Sequence, residues 1–179
     1  LGENISTVGW PNCGEIDIME HVGFEEGIIH GSIHTEDYNH SINTQRSGAK
    51  FVSTATDSFH TYSLEWGPTY LRYLIDDESY FFVYNDSNGD VGRGPFNEPQ
   101  YLILNLAIGG DWGGVEGVDP AVFPMKMLVD YVRVYERSEN FDDVDVTFQV
   151  DMKNVNVSGT GVWLSGGNIS SGSPGGLQM

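Results

Sequence analysis

Short runs of β-forming residues recur along this chain, each closed by Gly, Pro, Asn or Asp, and no stretch sustains apolar residues at i, i+3, i+4 and i+7 over three helical turns. A chain patterned in this way buries its apolar side chains by pairing strands. The spacing predicts strands at 14–21, 27–34, 59–66, 70–75, 80–84, 100–108 and 127–136, with turns at Gly67-Pro68, Asp76-Asp77 and Ser87-Asn88-Gly89. Turns this close together join antiparallel strands, so the expected fold class is all-β, two sheets packed as a sandwich. Glycine agrees: 23 of 179 residues, about twice the usual share, with no collagen period.

Charge narrows the partners. The chain has 26 Asp plus Glu against 8 Lys plus Arg, a net charge of −18. A surface so acidic repels phosphate backbones and anionic lipid heads, which argues against nucleic acid and acidic membranes. The apolar run at 101–108 falls far short of the roughly 20 residues that span a bilayer, so no membrane insertion is expected. The single cysteine, Cys13, cannot form an internal disulfide and reads as a small buried thiol. Sequons, among them Asn4, Asn85, Asn156 and Asn168, are as frequent as chance supplies in a Ser- and Asn-rich chain.

After residue 139 the character changes. DVTFQVDM (145–152) shows fresh alternation, and a Gly/Ser-rich stretch follows at 165–176. The expected organisation is one unit over 1–138, then a linker and the incomplete start of an accessory β-sandwich module over 139–179. A plain flexible linker is the alternative for the Gly/Ser stretch.

Strand parity sorts the faces. In 27–34, Ile29 and Ile33 share one side, and His30, Ser32 and His34 the other. That strand has a core face and a polar working face. The run at 100–108 is apolar on both sides except Asn105, and predicts a central strand covered on both faces.

The segment WPNCGEIDIMEHVG (10–23) holds Glu15, Asp17 and Glu20 among β-formers. Glu15 and Asp17 share a strand face, whereas Glu20, five from Glu15, falls on the opposite one. One extra residue, a β-bulge at Ile18 or Met19, brings all three together. The glutamates would then stand about four strand rises apart, roughly 13 Å, and side chains leaning together would bring the carboxyls to roughly 5–6 Å. That separation suits a retaining glycosidase. A solvated acidic strand and a Ca²⁺ or Mg²⁺ site are the competing readings.

GEIDIME with the preceding Trp10-Pro11 resembles the active-site strand of glycoside hydrolase family 16, in its laminarinase-like endo-β-1,3-glucanases. FHTYSLEWGPTYLRYLID (59–76), PQYLILNLAIGGDWGG (99–114) and FPMKMLVDYVRVYE (123–136) resemble the family's later strands in order, so the resemblance covers residues 1 to about 137. It implies a concanavalin-like β-jelly roll with a cleft across one sheet, and two-step retaining hydrolysis of β-1,3-glucan. By position, Glu15 would be the nucleophile, Glu20 the general acid and base, and Asp17 a carboxyl that hydrogen-bonds the nucleophile and shares its proton. The bulged E-x-D-x-x-E form goes with β-1,3-glucanases. Mixed-linkage glucanases, agarases, carrageenases, transglycosylases and a glucan-binding module without turnover remain the alternatives.

A glucan cleft needs exposed aromatic faces, and Trp10, Trp66 and Trp112 are the candidates, with core packing the competing account for Trp66. His34 matches a family histidine near the nucleophile, with a structural strand histidine as the alternative, and Asn105 would bind substrate or the carboxylates or else be a satisfied core amide. The resemblance implies no catalytic cofactor. A structural Ca²⁺ is tied to Asp130, whose alternative partner is Arg133. It further implies a secreted, monomeric enzyme within a multi-domain parent. The family's active-site strand normally falls mid-domain and here begins at residue 14, so the N-terminal half of the jelly roll is expected to be absent and one sheet face uncovered.

Overall fold

The computed structural model describes residues 1–85, 90 and 92–136. Two antiparallel three-stranded sheets organise them. The first pairs β1 (Glu15–Glu20), β2 (Ile28–His34) and β3 (Arg46–Phe51) in that order, and the second β4 (Tyr62–Gly67), β5 (Tyr70–Ile75) and β6 (Glu78–Tyr84). Helix among the described residues is confined to the single turn α1 (Ile5–Val8) and to 3-10 turns at His40–Ile42 and Pro120–Val122. The fold is all-β, as the patterning requires. The 139–179 unit, the turn at Ser87-Asn88-Gly89 and the sequons at Asn156 and Asn168 lie outside the described residues.

Local chemistry sets the hairpins. Asp76 and Asp77 join β5 to β6 with φ of 50° and 66°, the left-handed pair that matches the twist of antiparallel strands. Asp76 Oδ1 accepts the Thr61 N–H at 2.9 Å, which ties this turn to the entry of β4. Only β3 has no counterpart among the expected strands. Its RSGAKF has one aromatic and alternates half-buried with exposed residues, so β2 recruits it through backbone bonds rather than through its own propensity.

The sheets pack face to face. Ile33 of β2, Leu71 and Tyr73 of β5, Val83 of β6 and Phe96 form the core, and Ile16, Leu64, Trp66, Tyr80 and Phe81 lie against it. Each aliphatic or aromatic side chain so buried contributes roughly 1.5–3 kcal/mol. Gly31 makes the close approach possible, because a Cβ there would stand 2.5 Å from Tyr80 Oη and 2.8 Å from the Tyr73 ring. Tyr73 therefore reaches the inner side of β2 and donates its hydroxyl to the Ser32 carbonyl at 2.9 Å. The middle of β2 is clamped from below.

Trp66, half-buried on β4 opposite Leu71 in the β4–β5 register, packs against this core and also lines the hollow that holds Glu15 and Glu20. One expectation is corrected. Residues 100–108 and 127–136 do not form strands. Bridges mark only Gln100, paired with Gly2, and Arg133, and Ile103, Leu104, Leu106, Ile108, Leu128 and Val129 are exposed. Strand propensity is present in both runs, but a ladder needs a neighbour's N–H and C=O groups, and no described strand runs alongside.

Candidate active site

β1 runs antiparallel to β2 with Glu15 opposite His34, Asp17 opposite Ser32 and Glu20 opposite His30. From Asp17 to Glu20 the first strand takes three steps where the second takes two, and this is the extra residue that the carboxylate spacing demands. The bulge turns Met19 outward and leaves Ile18 half-buried. Cross-strand partners share a face, so Glu15, Asp17, Glu20, His30, Ser32 and His34 stand together on the side away from the core residues Ile16 and Ile33.

Hydrogen bonds knit this face together. The Trp10 indole N–H donates to Glu15 Oε2. Ser32 Oγ lies 2.8 Å from Asp17 Oδ2, 3.1 Å from Glu20 Oε2 and 3.4 Å from His34 Nε2. His34 Nε2 is also 3.4 Å from Asp17 Oδ2. The Trp10 ring packs on His40 at 4.9 Å and on His34 at 5.9 Å, and His40 meets His34 edge-on at 5.1 Å. At the far end Trp112, 40% exposed, meets the His30 ring edge-on at 5.1 Å, and His30 is held by Glu25 at 2.8 Å. An aromatic side chain thus borders each end of the carboxylate row.

Burial dominates the electrostatics. It pushes the Asp17 carboxyl up to about 8, helped by the negative charges of Glu15 and Glu20 and opposed by the Ser32 hydroxyl. The Glu20 carboxyl is also raised, first by burial and then by Glu15, against the pull of Ser32, His30 and His40. His34 is lowered by burial and so favours its neutral form. A carboxyl that keeps its proton toward neutral pH is suited to general acid chemistry, and a neighbouring carboxylate fixed by an N–H donor is suited to attack. Cys13 is fully buried and its thiol is raised by that burial, which disfavours the reactive thiolate.

The remaining expected residues are scattered. Asn105 is exposed and lines the same hollow as Glu20 and Trp112. Asp130 is exposed, and Arg133 holds its guanidinium over the Tyr131 ring at 4.1 Å. Calcium takes six to eight oxygen ligands, and no group of three or more His, Cys, Asp or Glu side chains placed to hold a metal occurs among the described residues.

Ser32, His30 and His40 were not singled out from sequence, yet they lie in this cluster. Parity already placed His30 and Ser32 on the working face. His40 arrives from a turn shaped by Asn39, whose side chain accepts from the Ser41 N–H at 3.1 Å and donates to the Thr35 and Glu36 carbonyls, each at 3.0 Å. Asn39 in Tyr-Asn-His-Ser is a turn signal, but nothing local says where the turn points.

The family model for glycosyl hydrolases family 16 matches residues 4–133. Over 130 residues the chain is 50% identical to a beta-glucanase of Rhodothermus marinus, a match covering 70% of this chain and 46% of the relative. It is 36% identical over 128 residues to a keratan-sulfate endo-1,4-beta-galactosidase of Sphingobacterium multivorum, covering 72% and 29% respectively. The solved laminarinase from Rhodothermus marinus superposes with a TM-score of 0.62 at 44% identity, over 66% of this chain and 49% of its own. The chain spans about half, or less, of the length of these relatives.

Proposed function

The chain belongs to glycosyl hydrolase family 16, and from that premise we propose that its carboxylate face cleaves internal β-1,3 linkages of a laminarin-type glucan with retention of configuration. One observation carries the reading: the bulge between Asp17 and Glu20 sets three carboxyls and Ser32 on one face, two of the carboxyls with raised proton affinity. In this reading Glu15 attacks the anomeric carbon as Glu20 protonates the departing glycosidic oxygen, leaving a glycosyl ester on Glu15. Glu20, now ionised, takes a proton from water as that water attacks the ester, and both glutamates return to their starting states. Asp17 keeps its proton and hydrogen-bonds Glu15, lessening repulsion between them.

Substrate class follows from the relatives and from charge. A beta-glucanase and a laminarinase are among the similar proteins. The exposed Trp112 and half-buried Trp10 offer faces on which sugar C–H groups stack. A net charge of −18 disfavours a sulfated polymer of the kind named for the keratan-sulfate relative. A polymeric substrate calls for an enzyme outside the cell, and no helix among the described residues is long and apolar enough to cross a membrane.

The test is a reducing-sugar screen on laminarin, lichenan, xyloglucan, agarose and carrageenan, followed by proton NMR of the first product. Laminarin is expected to be cleaved to an initially β-anomeric reducing end. An initial α-anomer overturns retention, and binding without turnover overturns the enzyme. Glu15→Gly is expected to abolish hydrolysis, with azide restoring turnover of an activated glycosyl fluoride to a product of inverted configuration. Rescue seen only with Glu20→Gly reverses the two roles.

A further inference from the structure

The centre of the carboxylate face is a serine. Ser32 sits in the middle of β2, 3% exposed, clamped from beneath by the Tyr73 hydroxyl on its carbonyl. Its Oγ is within hydrogen-bond distance of Asp17 Oδ2 at 2.8 Å and Glu20 Oε2 at 3.1 Å. A hydroxyl has one hydrogen and two lone pairs, so it can donate to only one of the two carboxyls at a time. The other must either donate into Oγ or face it unsatisfied, and the site is too enclosed for an unsatisfied charge to be cheap.

We propose that Ser32 is a positioning residue whose single hydroxyl hydrogen points to Asp17 while Glu20 is protonated and turns to Glu20 once Glu20 has given up its proton. The inference rests on the glycosidase reading of this same face. When Glu20 holds its proton, its own hydroxyl can address the substrate oxygen, and Ser32 makes the shorter of its two contacts, to Asp17. When the glycosidic oxygen takes that proton, Glu20 becomes an anion beside Ser32, and the hydrogen rotates to it. No covalent bond changes at Ser32, and the proton lost by Glu20 is regained from water. The rotation stabilises ionised Glu20 only while the ester waits for water, and it ties the proton affinities of Asp17 and Glu20 together.

The other groups facing Ser32 are Glu15 on β1, His34 and His30 on β2, and His40 in the turn after β2. His34 Nε2, 3.4 Å from Oγ, is a further atom on hand to receive the hydrogen. Burial keeps His34 toward its neutral form, so it adds no fixed positive charge that would override the exchange between the carboxyls.

The test compares wild type, Ser32→Ala and Ser32→Thr in the full chain, by carboxyl carbon NMR titration of labelled Asp and Glu and by the pH profile of kcat/KM on laminarin. Removing a donor to a carboxylate is expected to raise the Asp17 and Glu20 titrations by roughly one pH unit. The alkaline limb of kcat/KM, which reports loss of the Glu20 proton, moves up with them. Threonine keeps the hydroxyl and is expected to hold both at their wild-type positions. Unchanged titrations in Ser32→Ala, or the same shift in Ser32→Thr, overturn the proposal. Ser32→Cys, a weak donor of similar shape, is expected to shift both in the alanine direction and replaces it should alanine melt early. A wild type that cleaves no β-glucan sinks the functional reading, while the NMR titrations still decide the role of Ser32.

Discussion

Glu15 stands at the end of a short stack of rings, Trp10, His34 and His40, and only Trp10 in that stack donates to it. Trp10→Phe keeps an aromatic face but removes the indole N–H. A hydrogen bond to a charged group contributes about 1.5–3 kcal/mol, so kcat/KM on laminarin is expected to fall roughly 10- to 100-fold with little loss of melting temperature. Asp17 makes a prediction about stability. Its pKa in the folded chain is raised above the unfolded value near 3.8, to about 8, so the folded chain binds more protons than the unfolded one across that window. Stability from this group is fully present below about pH 4 and is lost as pH rises toward 8. Asp17→Asn removes the dependence. The stability of wild type minus that of Asp17→Asn, from urea melts at pH 4 to 8, is expected to fall with pH by at most about 1.4 kcal/mol per unit. A flat difference would show that Asp17 ionises freely in the fold.

The bulge and the β2 clamp are the elements on which the site depends. Deleting Met19 leaves three carboxylates at alternate positions, so Glu20 still faces His30 and hydrolysis is expected to survive. Inserting one alanine between Ile18 and Met19 carries Glu20 to the opposite face if the bulge is kept, or past His30 to a position opposite Ile28 if it is lost, and either way is expected to cost as much activity as Glu20→Ala. Equal activity in both length variants would show that β1 re-registers freely. Beneath β2, Gly31→Ala drives a methyl into Tyr80 Oη and the Tyr73 ring, and overpacking of this kind costs about 1–3 kcal/mol. Adding Tyr80→Phe removes the nearest contact atom, a hydroxyl with no partner of its own, and is expected to restore part of that loss in a double-mutant cycle. The bulge was legible in sequence because parity is arithmetic: three acids can share a strand face at this spacing only if one residue is added. β3 was not legible, because RSGAKF becomes a strand through the open edge of β2 rather than through its own pattern.

Across the whole molecule, the two sheets close a core on one side, while residues 101–136 expose apolar side chains such as Ile108 at 65% and Leu128 at 69%. Contiguous exposed apolar surface binds hydrophobic dyes and drives association. The 179-residue chain alone is expected to bind anilinonaphthalene sulfonate, to self-associate at micromolar concentration and to hydrolyse laminarin weakly. A sharp cooperative melt of a monomer with no dye binding and full activity would show that these runs find partners within the chain. The −18 charge slows such association through repulsion, so added salt is expected to promote it.

Composition, alternation and turn residues by themselves determined that the chain is β-rich, where most strands of the two sheets begin and end, and that Glu15, Asp17 and Glu20 need a bulge. These are short-range consequences of a two-residue period and of turn chemistry. Trp66 shows what they leave open: its sequence suits a sugar platform and a core filler equally, and its packing against the core, like its place beside the carboxylate hollow, exists only in three dimensions. The runs at 100–108 and 127–136 have strand propensity without a ladder, because pairing belongs to the neighbour as much as to the strand. Ser32 became the hub of the site, and His40 part of its ring stack, only when β1, β2 and the following turn were folded against one another. Hydrogen-bond distances between residues far apart in the chain exist only in three dimensions, and tertiary structure alone decided them.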